Sequence, residues 1–199
     1  MLICVTNRNL CQDNFLERLA QIARAKPAAV MLREKNLDLL AYERLARQVQ
    51  EICDSYGVTL IINQNTSVAE KIHATHLHLS MPDLRAYKRG EHHLIVGASV
   101  HSVAEAEEAQ AFGAAYIVAG HIYATDCKKG IPPKGISFLR QVCQAVCLPV
   151  FAIGGITRNN VSEIMESGAK GFCIMSEAMT CQNPAVLVGR FLTGSNNVV

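Results

Sequence analysis

Short apolar runs alternate with amphipathic stretches along almost the whole chain. The runs lie at 2–6, 28–33, 58–63, 76–80, 94–100, 115–121, 149–154 and 171–176. Runs of this length and composition are typical of buried parallel strands. The stretches between them have helical periodicity; Phe15, Leu19 and Ile22, for example, share one helical face. Strand–helix alternation of this kind predicts a parallel sheet covered by helices.

The number of strand–helix units favours closure of the sheet. The predicted fold class is therefore a single-domain (β/α)8 TIM barrel over residues 1–199, with a doubly wound open sheet as the alternative. Ser102 followed by Glu105 predicts a capping box after the fifth run, and Thr157 is a candidate cap for a later helix. Segment 81–93 is only weakly helical, so we expect one short or irregular crossover.

Composition and charge exclude several classes of protein. The 199 residues are 50% apolar and carry a formal net charge of +2, which gives no electrostatic case for nucleic-acid or membrane binding. No run of about 18 apolar residues occurs, so no transmembrane helix is expected. The apolar N-terminus is too short and lacks the basic flank of a signal peptide. Eight cysteines without a Cys-x-x-Cys motif favour free thiols in a reducing cytoplasm, with no structural metal.

Two glycines end the seventh run, and a serine ends the eighth. Gly154 and Gly155 let a ligand approach the backbone closely, and Ser176 lies where a helix can begin. Loops at these two positions of a (β/α)8 barrel frequently bind phosphate, which is the predicted role. A tight turn demanded by packing is the alternative.

Other strand ends also carry groups suited to an anionic ligand. Arg33 and Lys35 follow the second run, although a solvated loop with Glu34 as counter-ion is an equally good interpretation. Asn63-Gln64 follows the third run and Asp83 the fourth, which leaves a single carboxylate for a magnesium–pyrophosphate site. We therefore expect no tight metal site.

His121 is the strongest catalytic candidate. It follows a buried strand at the end where active sites form, and Thr125, Cys127 and Lys128 follow within a few residues. An imidazole near its ordinary pKa moves protons at neutral pH. Other histidines are interpreted as structural or exposed: His76 and His78 as buried, hydrogen-bonded imidazoles, His92 and His93 as loop residues, and His101 as a group that orients a loop.

Taken together, these segments resemble the thiamine phosphate synthase superfamily. The resemblance rests on Leu-Arg-Glu-Lys (32–35), Ile-Ile-Asn (61–63), Leu-His-Leu (77–79), Val-Gly-Ala-Ser (96–99), Gly-x-Ile-Tyr-x-Thr-x-x-Lys (120–128) and Ala-Ile-Gly-Gly-Ile (152–156). It implies a (β/α)8 barrel that handles the thiazole phosphate precursor of thiamine. It also implies substrate or phosphate binding by Arg33, Lys35, Asn63, Ser99, Thr125, Lys128, Gly154, Gly155 and Ser176.

Departures from the synthase pattern favour the TenI-like branch, the thiazole tautomerases. Synthases have Asn-Asp after strand three, where this chain has Asn63-Gln64, so Asp83 is left as a vestigial magnesium position. Synthases carry Gln where Met31 stands, and Gly-Pro-Ile where this chain has Gly-His-Ile at 120–122. The resemblance to the tautomerases implies that His121 removes the C2 proton of a 2-carboxy-thiazole phosphate. The general acid stays open between His121 itself, water and Cys127.

Three functions therefore follow, in order of preference. The first is a thiazole tautomerase, an isomerase that aromatises its substrate without a cofactor. The second is a thiamine phosphate synthase, a transferase that joins pyrimidine pyrophosphate to thiazole phosphate with Mg²⁺. The third is a non-catalytic regulatory relative that binds thiazole phosphate, although the chain has no basic stripe for direct DNA binding. The expected partner is thus a small thiazole phosphate; the oligomeric state is open, and a homodimer is one option.

Overall fold

Eight parallel strands close into one barrel, so the predicted (β/α)8 fold is confirmed. The computed structural model describes residues 1–88, 90 and 93–193. The strands are β1 Leu2–Val5, β2 Ala29–Leu32, β3 Thr59–Asn63, β4 His76–Ser80, β5 Ile95–Val100, β6 Tyr116–Gly120, β7 Val150–Ile153 and β8 Gly171–Ile174. Closure comes from the pairing of β1 with β8, in which Ile3 is in register with Cys173. The open-sheet alternative is thereby excluded.

Helices follow the strands and cover the outside of the barrel. Within the described residues they are α1 Phe15–Arg24, α2 Leu39–Tyr56, α3 Thr66–Lys71, α4 Met81–Ala86, α5 Val103–Ala111, α6 Gly135–Ala145, α7 Val161–Glu166, α8 Ser176–Thr180 and α9 Pro184–Leu192. The short α4 is the weakly helical crossover expected after β4. His92 lies outside the described residues, whereas His93 is exposed as predicted.

Local sequence sets the helix ends. The hydroxyl of Ser102 accepts a hydrogen bond from the amide of Glu105 at 3.0 Å, so the predicted cap of α5 is present. The Glu105 carboxylate accepts in return from the amide of His101 at 2.6 Å. Thr157 precedes a 3₁₀ turn at Arg158–Asn160 rather than α7 itself, and its amide donates to the side chain of Asn160 at 2.9 Å. Gly168, with φ of +93°, ends α7 as expected.

The strands divide the core into two layers because successive side chains point to opposite faces. Leu2, Cys4 and Val30 face outward into the main core beneath the helices. Ile3, Val5 and other alternating residues fill the barrel itself in a smaller cluster. This alternation brings the last inward residue of each strand to the carboxyl end of the barrel, where a ligand site is expected.

One close packing contact inside the barrel depends on a glycine. A Cβ atom on Gly97 of β5 would lie 2.1 Å from Cζ of Tyr116 on β6. The phenol ring therefore occupies the space above Gly97 and stacks on His78, with 5.6 Å between ring centroids. Gly97 thus lets a large aromatic side chain fill the barrel interior.

The structure also bears on the predictions about cysteines and membrane-spanning helices. All eight cysteines are free thiols, and Cys4 and Cys173 are buried in strands as predicted. Among the helices of residues 1–88, 90 and 93–193, none combines the length and apolarity that a membrane crossing requires.

Candidate active site at the carboxyl end of the barrel

A cavity of about 470 Å³ opens at the carboxyl ends of the strands. Seven of the predicted site residues line it, namely Arg33, His121, Thr125, Lys128, Gly154, Gly155 and Ser176. Lys35, Asn63 and Ser99 do not line the cavity, although they follow or end strands at the same face of the barrel. Its volume is ordinary for a site that holds small ligands.

Gly154 and Gly155 have backbone conformations that side chains rarely adopt. Their φ angles are +100° and +64°. A Cβ at Gly154 would lie 2.3 Å from Cβ of His121, and one at Gly155 would lie 2.4 Å from the carbonyl oxygen of Ala124. Packing against the loop after β6 therefore requires both glycines, and the same bare backbone lines the cavity next to Ser176. The packing explanation and the phosphate-binding prediction are compatible here.

His121 is buried and holds the loop that follows β6. Its Nε2 lies 3.2 Å from the carbonyl oxygen of Ile131, which can only accept, so Nε2 is the donor of this hydrogen bond. The backbone of the same residue accepts from the amide of Lys134 at 3.0 Å. Side chain and backbone of His121 thus both tie the two ends of this loop together.

His101 joins the neighbouring strand to that loop. Its Nδ1 donates to the carbonyl oxygen of Gly120 at 2.7 Å, directly before His121. The side chain also lines the cavity. His101 therefore orients the start of the β6 loop, as its position after β5 predicts.

Three cationic side chains converge on one side of the site. Arg33 and Lys128 line the cavity, and both act on the exposed Lys35. The pKa of Lys35 is lowered mainly by the charge of Arg33, with further contributions from burial and Lys128, while Asp83 opposes the shift. Mutual repulsion of this kind shows that positive charge is concentrated here.

Glu34 does not neutralise these cations. It is 6% exposed and turns away from the cavity toward β1. Its carboxylate accepts from the hydroxyl of Thr6 at 2.6 Å and from the amide of Arg8 at 3.0 Å. Thr6 in turn accepts from the amide of Arg33 at 3.0 Å. The alternative of a solvated loop with a Glu34 counter-ion is therefore wrong, because Glu34 is a buried support for the backbone of Arg33.

Asp83 and Gln64 meet at the ends of β3 and β4. The Gln64 amide nitrogen donates to Oδ2 of Asp83 at 3.0 Å, and the Ser80 hydroxyl donates to the same oxygen at 2.5 Å. Mg²⁺ prefers carboxylate and other oxygen ligands. Only one carboxylate is present here, and within the described residues no group of three acidic, histidine or cysteine side chains is placed to hold a metal. This donor set does not fit a magnesium site made by the protein.

The half-buried Ser99 and the buried His78 form a hydrogen-bonded pair outside the lining of the cavity. His78 Nε2 lies 2.8 Å from the Ser99 hydroxyl, and burial lowers the pKa of His78 to about 3. His78 is thus a neutral, buried imidazole, as its strand position predicts. Asn63 is in register with His78 on the adjacent strand. None of these three residues lines the cavity.

Glu177 lines the cavity without having been predicted from the sequence. Burial raises the pKa of its carboxyl, and its Oε2 atom has no hydrogen-bond partner. Its neighbour Ser176 is linked to the β6 loop, since the two side-chain atoms Ser176 Oγ and Cys127 Sγ lie 3.5 Å apart. In the sequence, only its position directly after Ser176 indicates that Glu177 belongs to the site. Its residue type does not distinguish it from an exposed helix residue.

Comparison with known proteins identifies the family. The model of the thiamine monophosphate synthase family matches residues 2–178. The chain belongs to this family. Thiamine-phosphate synthase 2 of Streptococcus pneumoniae serotype 4 is 35% identical over 100% of this chain and 96% of its own length. Thiamine-phosphate synthase of Methanobrevibacter smithii is 33% identical over 93% of this chain and 90% of its own length.

A solved structure agrees with these sequence relatives. Thiamine phosphate pyrophosphorylase from Pyrococcus furiosus has a TM-score of 0.84 and 25% identity, covering 96% of this chain and 93% of that one. The relatives carry the names of synthases, which are transferases, so the predicted thiazole tautomerase and its isomerase class are wrong. The tautomerase prediction relied on the short Gly-His-Ile motif, whereas the similarity to a synthase extends over the whole chain.

Proposed function

We propose that this protein is a thiamine-phosphate synthase that joins a pyrimidine pyrophosphate to thiazole phosphate. One observation carries the proposal: a single cavity has two sets of groups suited to anions. Arg33 and Lys128 supply positive charge, while Gly154, Gly155 and Ser176 supply close backbone and a hydroxyl. A reaction between two phosphorylated substrates needs both sets in one place. The names of the relatives support the same reaction.

The chemistry proposed is a displacement at carbon. The thiazole ring nitrogen forms a bond to the methylene carbon of the pyrimidine, the bond from that carbon to oxygen breaks, and pyrophosphate leaves with the electron pair. Arg33, Lys35 and Lys128 stabilise the negative charge that develops on the leaving group. The Gly154–Gly155 turn and Ser176 hold the thiazole phosphate, so that the ring nitrogen faces the reacting carbon.

In this proposal His121 positions the β6 loop. The reaction transfers no proton from carbon, so it requires no base at this place. The bond from His121 to the carbonyl of Ile131 holds the loop that carries Thr125 and Lys128. His121→Asn should therefore affect binding of the pyrophosphate substrate more than the pH dependence of turnover. Cytoplasmic location and a homodimer remain predictions.

Steady-state turnover tests the proposal with a matched pair of lysines. Lys128 lines the cavity, whereas its neighbour Lys129 is 79% exposed and pairs with Asp126 at 3.5 Å. Lys128→Gln should lower kcat/KM for the pyrimidine pyrophosphate at least about tenfold, because loss of one close charge on a polyanion is worth more than 1 kcal/mol. Lys129→Gln should behave like the wild type. Absence of thiamine phosphate from the wild-type reaction contradicts the proposal, and so do equal effects of the two substitutions.

A further inference from the structure

No carboxylate of the described residues forms an ion pair with the cationic side of the site, although the charge of Asp83 acts on Lys35. Among the ion pairs of residues 1–88, 90 and 93–193, none involves Arg33, Lys35 or Lys128. The nearest acidic residue in sequence, Glu34, is occupied with Thr6 and the amide of Arg8. The positive charge is therefore available to a ligand. Closely spaced cations that form no ion pair with a carboxylate favour a compact anion that carries several charges.

Asp83 and Gln64, at the ends of β3 and β4 on the same face of the barrel, are not arranged to hold a cation. Asp83 is engaged by Ser80 and Gln64, and the Gln64 group that faces it is the NH₂, a donor that binds no cation. The backbone holds Gln64 in place, because its amide donates to the carbonyl of His78 at 2.9 Å and its φ is +65°. Asp and Asn adopt this left-handed conformation more readily than Gln. The position is thus suited to an aspartate, but carries a neutral amide.

We infer that this chain binds the pyrophosphate group directly through Arg33, Lys35 and Lys128, without a magnesium ion held by Asp83 and Gln64. The inference rests on the proposed function for the identity of the anion. It goes further in assigning charge neutralisation to side chains alone. Since the three cations are themselves the partners of the anion in this inference, removal of Mg²⁺ leaves those partners in place. A second carboxylate at position 64 would instead create the oxygen pair that Mg²⁺ binds.

Calorimetric titration with inorganic pyrophosphate tests this inference without turnover. The wild type should bind pyrophosphate in EDTA with a Kd within about threefold of that in Mg²⁺. Lys35→Gln should weaken binding in EDTA about tenfold. Binding that requires Mg²⁺ by more than about tenfold, or no binding in either buffer, overturns the inference.

A pair of substitutions at one exposed position provides the matched control. Gln64→Asp should make pyrophosphate binding at least about tenfold tighter in Mg²⁺ than in EDTA, since it adds the missing carboxylate. Gln64→Asn has the same shape as the aspartate without its charge and should show no such preference. An equal response of the two variants to Mg²⁺ also counts against the inference. The titrations do not depend on synthase turnover, so failure of the proposed function and failure of this inference are distinguishable.

Discussion

Removal of the Glu34 side chain should destabilise the protein, although one of the two interpretations of the sequence made this residue a solvated counter-ion to the cations. Glu34→Ala deprives two donors, the Thr6 hydroxyl and the Arg8 amide, of a carboxylate partner. A hydrogen bond to a charged group contributes about 1.5–3 kcal/mol, so loss of two such bonds costs about 3–6 kcal/mol. Water reaches the half-buried Arg8 amide, which brings the expected loss to about 3 kcal/mol.

The assay is urea unfolding of the wild type and variants at pH 7. Glu34→Gln should lose less stability than Glu34→Ala, because it keeps one oxygen acceptor for Thr6. Glu51→Ala removes an exposed glutamate from α2 and should change the free energy of unfolding by at most about 0.5 kcal/mol. The amide of Arg33 depends on Thr6, so Glu34→Ala should also weaken pyrophosphate binding. A loss of stability under about 1 kcal/mol would refute the assignment of Glu34 as a buried support.

Three further predictions concern the barrel. Gly97→Ala should lower the free energy of unfolding in urea by about 1–3 kcal/mol, because the new Cβ overlaps Tyr116. The control Gly189→Ala, where a Cβ on α9 would meet open space, should be neutral or slightly stabilising. Tyr42→Phe should cost about 1–2 kcal/mol, since the buried hydroxyl donates to the carbonyl at the end of β2 at 2.6 Å; an unchanged urea midpoint would exclude that contribution. His78 has a folded-state pKa of about 3, so below pH 6.5 the unfolded chain takes up a proton that the folded chain does not. The free energy of unfolding should therefore fall by up to about 1.4 kcal/mol per pH unit from pH 6.5 toward 3, and His78→Gln should flatten this slope. Parallel pH profiles of the two proteins would contradict this, because they would show that the pKa of His78 is the same in the folded and unfolded chains.

The barrel was predictable because its strands are buried on both faces. Such strands are continuous apolar runs, and run 115–121 became β6 at Tyr116–Gly120 with small changes at its ends. Because the strands themselves are apolar, the polar residues directly after them stood out and indicated which face of the barrel carries the site. The alternation of inward and outward residues places both Arg33 and Ser99 on the inner face of the barrel. It did not show that Arg33 lines the cavity whereas Ser99 pairs with His78.

The direction of loop side chains and the reaction were not predictable in the same way. Glu34 lies between two cations in sequence, yet the turn after β2 points it at Thr6 on the adjacent strand. His121 has the residue type of a base, and its imidazole also hydrogen-bonds a carbonyl ten residues later, a contact that the motif did not predict. A short motif does not distinguish a proton acceptor from a loop anchor, since both need one polar ring at the strand end. The whole-chain similarity was needed to correct the reaction class.

Simultaneous binding of two anions in one cavity is the central claim, and competition calorimetry measures it most directly. Thiazole phosphate is titrated into the protein with and without saturating inorganic pyrophosphate. The account predicts a Kd for thiazole phosphate that changes by less than about threefold, because it assigns thiazole phosphate to the Gly154–Gly155 turn with Ser176 and pyrophosphate to the cations. A Kd that rises in proportion to the pyrophosphate concentration would show that both anions occupy one position, and would contradict a site built to join two phosphorylated substrates.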